Sequence, residues 1–395
     1  MFDFCPSSEQ QEMLVKATEF MNQFVYPNET YMVPHRGLPN DILKPLQQKA
    51  KDLNLWAGHL PKDVGGMGMG FVSLGLLSEI IGRSPIAPYI FGSMAPDAGN
   101  SEILYHAATA EQKEKYLIPL ANGDVRSCFA MTEPEVSGSD PTLLQARAIE
   151  DNDGWVIQAH KWFTTGAVGS AFSIVMAMTD PDTPPHQRYS MFIVDADNPG
   201  FEIVREVPVM GDHFVGGHCE VRYTDCRVPA SSMLGKRGEG FKLAQLRLGP
   251  GRITHAMRWI GVAKRSFEIM VEYALQKETA GRTLADSQTI QNFIADSAAE
   301  IEAARLLTLH AAWKMDQGDQ ARKEISLIKF HGANILQKVI DRAIQVLGMY
   351  GLTHHTLLEG FYREARAARI YDGADEVHRM VVARQIIKSF QNGGI

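Results

Sequence analysis

Carboxylates, groups that hold and move protons, crowd the stretch Arg369-Ile370-Tyr371-Asp372-Gly373-Ala374-Asp375-Glu376-Val377-His378-Arg379. Helix-like sequence precedes it. Val377, Met380, Val381, Arg384 and Ile387 recur at helical spacing behind it, so the Asp-Gly pair reads as a tight joint between two helices. Gly373 allows a backbone angle that other residues resist, which holds Asp372 on a short constrained loop. A plainer explanation of the acids is that Asp372, Asp375 and Glu376 cap the following helix and complement its dipole. The rest of the chain has to decide between them.

Pro61-Lys62-Asp63-Val64-Gly65-Gly66-Met67-Gly68-Met69-Gly70 contains a G-x-G, but no hydrophobic strand leads into it and no acid follows at the distance a βαβ unit requires. It reads as a connecting loop. Cys5, Cys128, Cys219 and Cys226 show no C-x-x-C spacing, so neither a disulfide framework nor a zinc site is expected. The 395 residues, 45% of them hydrophobic and 22% charged, describe an ordinary globular chain of two or three domains. A net charge of -7 argues against nucleic-acid binding. No run is long and apolar enough for a membrane span. The start, Met1-Phe2-Asp3-Phe4, has neither a signal-peptide nor a transit pattern, which makes the cytoplasm the default location.

The elements that position the acidic stretch can be read in order. Ser8 with Gln11 suggests a capping box before a helix marked by Met13, Leu14, Ala17, Phe20, Phe24 and Val25 and ended by Pro27. Asn40 is expected to cap a second helix, and Thr109 with Gln112 repeats the box. From Val125 the pattern changes. Leu143 to Ile149 and Trp155 to Gln158 flank Asp151-Asn152-Asp153-Gly154 as a hairpin. Phe172 to Met178, Met191 to Val194 and Glu220 to Tyr223 read as further strands. From Gly240 helical periodicity returns: Ile290, Phe293, Ile294, Ile301 and Ala304 line one long helix, and Ile325, Ile328, Leu336, Val339, Ile340 and Val346 another. The expectation is an α+β chain: an N-terminal helical domain over 1–124, a middle β-barrel or sandwich domain over 125–233, and a C-terminal four-helix bundle over 234–395.

That order resembles the acyl-CoA dehydrogenase family over nearly the whole chain. Cys128-Phe129-Ala130-Met131-Thr132-Glu133-Pro134-Glu135-Val136-Ser137-Gly138-Ser139-Asp140 resembles the T-E-P-x-x-G-S-D signature with one additional residue. Lys161-Trp162-Phe163-Thr164-Thr165-Gly166 is similar to the family's flavin-flanking strand. Gln345-Val346-Leu347-Gly348-Met349-Tyr350-Gly351 is similar to Q-x-x-G-G-x-G. Arg247-Leu248-Gly249-Pro250-Gly251-Arg252-Ile253 and the Asp372 to His378 segment point to the branch of family members ten and eleven.

The resemblance implies FAD as cofactor. Phe129, Met131, Thr132, Ser139, Phe163 and Thr165 would meet the flavin or its phosphates. Lys277, Gln288, Gln345, Gly348 and Gly351 would complete a neighbouring subunit's site, and Ala374 and Glu376 would also lie at the flavin. The family's arginine and phenylalanine are replaced by Lys277 and Ala280, a point charge in place of a guanidinium fork, with Arg282 as an alternative cation. Arg252, Gly373 and Arg384 fall on substrate positions, with Arg252 on the CoA side. The alternative base position of some relatives is Gly251 here, which leaves Asp372 as the implied α-proton base, an Asp where Glu is usual. The activity implied is α,β-dehydrogenation of an acyl-CoA to a trans-2-enoyl-CoA, as in fatty-acid β-oxidation. Electrons would pass to an electron-transfer flavoprotein from a homotetramer or homodimer. The alternative is a nitroalkane-oxidase-like flavoenzyme using Asp372 with dioxygen as oxidant.

Overall fold

The computed structural model describes residues 5–32, 37–211 and 215–393, the Pro250 side chain excepted. The principal helices are α1 Ser8–Phe20, α2 Asn40–Asp52, α3 Phe71–Ile81, α4 Asp97–Ala107, α5 Gly240–Gln276, α6 Gln288–Asp316, α7 Arg322–Leu347, α8 Leu358–Ala368 and α9 Asp375–Gln391. Between α4 and α5 run β1 Ser127–Ala130, β2 Arg147–Asp151, β3 Gly154–Thr165, β4 Phe172–Met178, β5 Tyr189–Asp195, β6 Phe201–Glu206, β7 His218–Pro229 and β8 Met233–Leu234. Contacts group the chain into one unit of residues 1–27, 70–87 and 250–395, and another of 28–69 and 88–249.

The second unit is built on one sheet with strand order β6-β7-β3-β2-β4-β5-β8, β1 lying parallel to β4. The expected hairpin is there: β2 pairs antiparallel with β3 from Arg147↔Gln158 to Asp151↔Gly154, and Asn152 at the tip takes a positive φ of 50°. Alternation explains the two cores of this unit. Phe172, Ile174 and Met176 of β4, with Tyr189, Met191 and Ile193 of β5, join Trp56 and Leu60 of the segment after α2, Ile103 of α4 and Leu117. Val175, Ala177, Phe192 and Val194 join Trp155, Ile157, Val221 and Tyr223 of β3 and β7 on the other face. Burial on both faces is why β4 and β5 read as largely apolar runs rather than as strict alternation.

The helical unit packs α5, α6, α7 and α8 about Ile253, Met257, Trp259, Ile301, Ala304, Ile328, Leu336, Val339 and Phe361, among them the periodic residues of the sequence. Two sets of polar contacts bind α3 into it. The Asp316 carboxylate accepts from Phe71 N at 2.6 Å and Val72 N at 3.0 Å, neutralising donors that a helix start leaves unmet. Buried Glu79 accepts from Lys264 and, at 2.8 Å, from Arg305.

Several local expectations shift. The first capping box is Ser7 with Gln10, one residue earlier than the pair read from sequence. Pro27 does not end the helical course: a π turn over Met21–Val25 leads into a 3-10 helix over Tyr26–Tyr31 that contains it. Proline early in a new turn has no upstream carbonyl bond to lose. Pro39, not Asn40, is the N-cap of α2, and it provides no side-chain bond. The Thr109–Gln112 box forms as expected, with both reciprocal bonds. Cys128, Cys219 and Cys226 are buried free thiols.

Candidate active site

Asp372 sits in the joint between α8 and α9, as the sequence suggests. Its φ is +55° and that of Gly373 is +104°, a left-handed pair that reverses the chain within a few residues. The reversal closes when Asp375 N donates to Arg369 O at 3.1 Å. A Cβ on Gly373 would stand 2.6 Å from His378 Nε2, so the loop is packed as tightly as glycine permits.

The Asp372 carbonyl is tied down from two sides. Arg252, on α5, donates to it through Nε at 3.1 Å and Nη2 at 2.9 Å. His378, on the first turns of α9, places Nε2 at 3.2 Å from the same oxygen. Burial pushes the His378 imidazole down to about 4, and the nearby Arg252 charge pushes the same way. A neutral imidazole donating from Nε2 follows. Burial also holds the Arg252 guanidinium below its ordinary value, with Asp372 opposing. The Asp372 carboxylate is partly exposed, and its Oδ2 lies 3.6 Å from His255 Nδ1.

Beneath this loop, Lys329 of α7 is fully buried and donates to Ala368 O at 2.7 Å. Its ammonium stands 5.9 Å from the Trp259 ring and 5.8 Å from the Tyr371 ring. Burial pushes its pKa down to about 8 despite Asp372 and Asp375. Asp375 is likewise buried: its Oδ2 accepts from Asn334 at 2.7 Å and Arg369 at 3.0 Å. It is thus a structural anchor rather than a simple cap, and the N-cap position falls to Ala374, without a side-chain bond. Glu376 is different, with 79% of its side chain exposed. Arg384 is exposed too, and α9 buries Asp375, His378 and Val382 instead of the Val377-to-Ile387 stripe. The helical period holds while the buried face differs.

The signature segments meet within the sheet unit. Trp162 N donates to Thr132 O at 3.0 Å, which draws the motif after β1 alongside β3. A register shift between Lys161 and Thr164 marks a bulge there. Phe163 takes φ +49° within it and is 42% exposed, as an aromatic turned out of its own core must be. Thr165 Oγ1 pairs with His218 Nδ1 at 2.9 Å. Glu133, inside the signature, is buried: it accepts from Gln145 N at 2.5 Å, Ala146 N at 2.9 Å and Lys161 Nζ at 2.8 Å. Lys161 Nζ also donates to Met131 O at 2.9 Å. Among the described residues, Trp162 Nε1 and Thr164 Oγ1 are buried side-chain atoms with no hydrogen-bond partner in the chain. Partly buried Met131 and Thr132, an outward aromatic and unmet polar groups on one strand suit the edge of a flat heteroaromatic ring, so these residues fit a flavin. Ser139 is exposed, and Phe129 lies under the Arg247 guanidinium at 4.4 Å.

The remaining expected cofactor residues lie in the helical unit. Lys277, Gln288, Gln345 and Gly348 are exposed; Gly351 is buried, with Ile344 Cα 3.0 Å from where its Cβ would stand. Sequence reasoning does not single out His255, His378 and Lys329 as neighbours of Asp372. His255 follows Arg252 by three residues, a spacing that puts both on one helix face and is the available signal. Nor does it single out Glu102, whose carboxyl burial pushes up to about 8 against the Arg247 charge.

Family models agree with this architecture. The acyl-CoA dehydrogenase N-terminal domain matches residues 7–124, the middle domain 128–226 and the C-terminal domain 238–387. FadE2 of Mycobacterium tuberculosis, named as a probable acyl-CoA dehydrogenase, is 40% identical over 97% of this chain and 96% of its own length. This chain belongs to the acyl-CoA dehydrogenase family. It is therefore an FAD-dependent oxidoreductase with the family's three-part fold. Mouse acyl-CoA dehydrogenase family member 10 is 40% identical over 96% of this chain, which spans 37% of that relative's length. A solved structure from Mycobacterium abscessus, described as an acyl-CoA dehydrogenase, superposes with a TM-score of 0.93 at 37% identity, covering 98% of this chain and 100% of that one. No helix among the described residues is long and apolar enough to cross a membrane.

Proposed function

We propose that this chain dehydrogenates an acyl-CoA thioester between its α and β carbons, giving a trans-2-enoyl-CoA, with Asp372 removing the α-proton. The observation that carries the reading is the construction of the loop: a carboxylate left accessible on a left-handed joint whose backbone carbonyl receives bonds from Arg252 and His378. A pure helix cap needs none of this. Bound FAD supplies the hydride acceptor. The chain's own part is to hold the carboxylate within reach of the α-carbon and to present polar groups to the thioester oxygen where negative charge develops.

The reading assigns Phe129, Met131, Thr132, Ser139, Phe163, Thr165, Ala374 and Glu376 to the flavin. Lys277, Gln288, Gln345, Gly348 and Gly351 are assigned to a site completed by a second subunit. Gly373 and Arg384 are assigned to substrate. Arg252 keeps a place beside the substrate, but its two bonds to the Asp372 carbonyl support a role in fixing the loop. The three-part division 1–124, 125–233 and 234–395 belongs to the same proposal, as do a homotetrameric assembly, an electron-transfer flavoprotein as acceptor and a place in β-oxidation. The buried free cysteines suit a reducing compartment such as the cytoplasm. Relatives named as acyl-CoA dehydrogenases favour this reading over a nitroalkane oxidase.

Anaerobic stopped-flow bleaching of the flavin by a panel of acyl-CoAs tests the assignment. Asp372→Asn is expected to keep FAD and bind acyl-CoA yet reduce several orders of magnitude more slowly, whereas Glu376→Gln keeps much of the rate. Near-native reduction by Asp372→Asn would sink it.

A further inference from the structure

We propose that His255 is a positioning residue for Asp372, its imidazole fixing where the carboxylate points and favouring the carboxylate anion. The inference rests on Asp372 being the base.

The bonds from Arg252 and His378 end on the Asp372 carbonyl, so they fix the peptide and do not set the torsions of the side chain. Asp372 Oδ2 meets His255 Nδ1 at 3.6 Å. That is too long for a hydrogen bond and close enough for strong Coulombic attraction when the ring is charged. One helix face thus serves both tasks, Arg252 on the carbonyl and His255 on the carboxylate. The ring of His255 is itself braced. It stands edge-on to Trp259 at 6.3 Å and to Tyr371 at 5.8 Å, and those two are joined by a bond from Trp259 Nε1 to the Tyr371 hydroxyl at 3.0 Å. Tyr371 immediately precedes the base, so the imidazole and the carboxylate are referred to one rigid aromatic cluster.

Other charges act on the same locus. Arg252 and Arg258 come from α5, Lys329 from α7 and Glu364 from α8. Tyr371 shares the loop, and Asp375, Glu376 and His378 come from α9. Arg252 donates to the carbonyl of Asp372 and Lys329 to that of Ala368. His255 faces the carboxylate oxygen itself.

The test compares His255→Asn, which keeps a neutral polar atom near the Nδ1 position, with His255→Ala and Asp372→Asn, all as FAD-loaded enzymes. Expected are unchanged FAD content and acyl-CoA affinity, and flavin reduction slowed roughly 10-fold in His255→Asn and ~10²-fold in His255→Ala, the scale of an ångström of misplacement. The acid limb of the reduction rate moves to higher pH in both, because losing a neighbour able to carry positive charge makes the carboxylate easier to protonate. The coupling is reciprocal. In ¹³C-histidine-labelled protein, measured without substrate, Asp372→Asn should lower the pH at which His255 titrates. If Asp372→Asn is inactive while both His255 variants reduce at the wild-type rate with an unmoved acid limb, the positioning role is overturned and the base stands. The positioning role is equally overturned if both variants only lose FAD, with a normal rate per bound flavin. Near-native reduction by Asp372→Asn would overturn the base and this inference together.

Discussion

Gly373 and His378 show how few atoms define the loop. Gly373→Ala places a methyl 2.6 Å from His378 Nε2 at a φ of +104°, and should cost roughly 1–3 kcal/mol in urea unfolding, with most flavin reduction lost. His378, buried and neutral, makes a pH prediction. Its folded value of about 4 lies below the ordinary 6.5, so the unfolded chain binds the extra proton first as pH falls. The stability it contributes is complete above about 6.5 and declines toward 4, by about 1.4 kcal/mol per pH unit within that window. Urea unfolding at pH 7 and pH 5 should show a smaller loss for His378→Gln than for the wild type; equal losses would refute it. At this scale the sequence is partly legible. The Asp-Gly joint follows from glycine chemistry alone, but the bonds from Arg252 depend on a helix 120 positions earlier in the chain, about which no local pattern speaks.

At the scale of elements, the bulge in β3 depends on a buried ion pair. Lys161 is fully buried, its pKa pushed down to about 8 by burial despite Glu133. Together the two hold Met131, the residues leading into β2 and the bulged strand in one arrangement. Breaking such a pair strands a buried charge, so Lys161→Met should cost roughly 3–5 kcal/mol. The double variant Lys161→Met, Glu133→Gln should lose less than the sum of the single losses. Both single variants should also bind FAD more weakly, which flavin fluorescence on titration would report. Strand existence is readable here from alternation and turn residues. The bulge is not, because a single inserted residue leaves hydrophobic periodicity almost unchanged while it reverses the facing of Phe163.

At the scale of the molecule, apolar side chains remain on the surface of this single chain. Met349 is 77% exposed and Leu352 57%, both in the 3-10 turn after α7, and Phe390 on α9 is 68% exposed. The turn carries the motif assigned to a second subunit's cofactor, so we expect a homotetramer by light scattering. Met349→Glu with Leu352→Glu should weaken assembly and lower FAD retention together; an active, FAD-loaded single chain would refute the expectation. The helix–sheet–helix order is legible because long periodic segments are the strongest signal a sequence carries. Which segments pack together is not: residues 70–87 contact the C-terminal helices, a pairing decided by tertiary polar contacts such as Asp316 with Phe71 and Val72.

The tether on the Asp372 carbonyl turns side-chain length into a yardstick. With its peptide held by Arg252 and His378, the loop cannot retreat to make room for a longer acid. Asp372→Glu would therefore carry its carboxylate past the place the backbone is set to serve, by roughly one carbon–carbon bond. Although glutamate is the residue the family's pattern would suggest, the variant should reduce its flavin about 10- to 100-fold more slowly than the native aspartate. Equal or faster reduction would mean that the loop can slide.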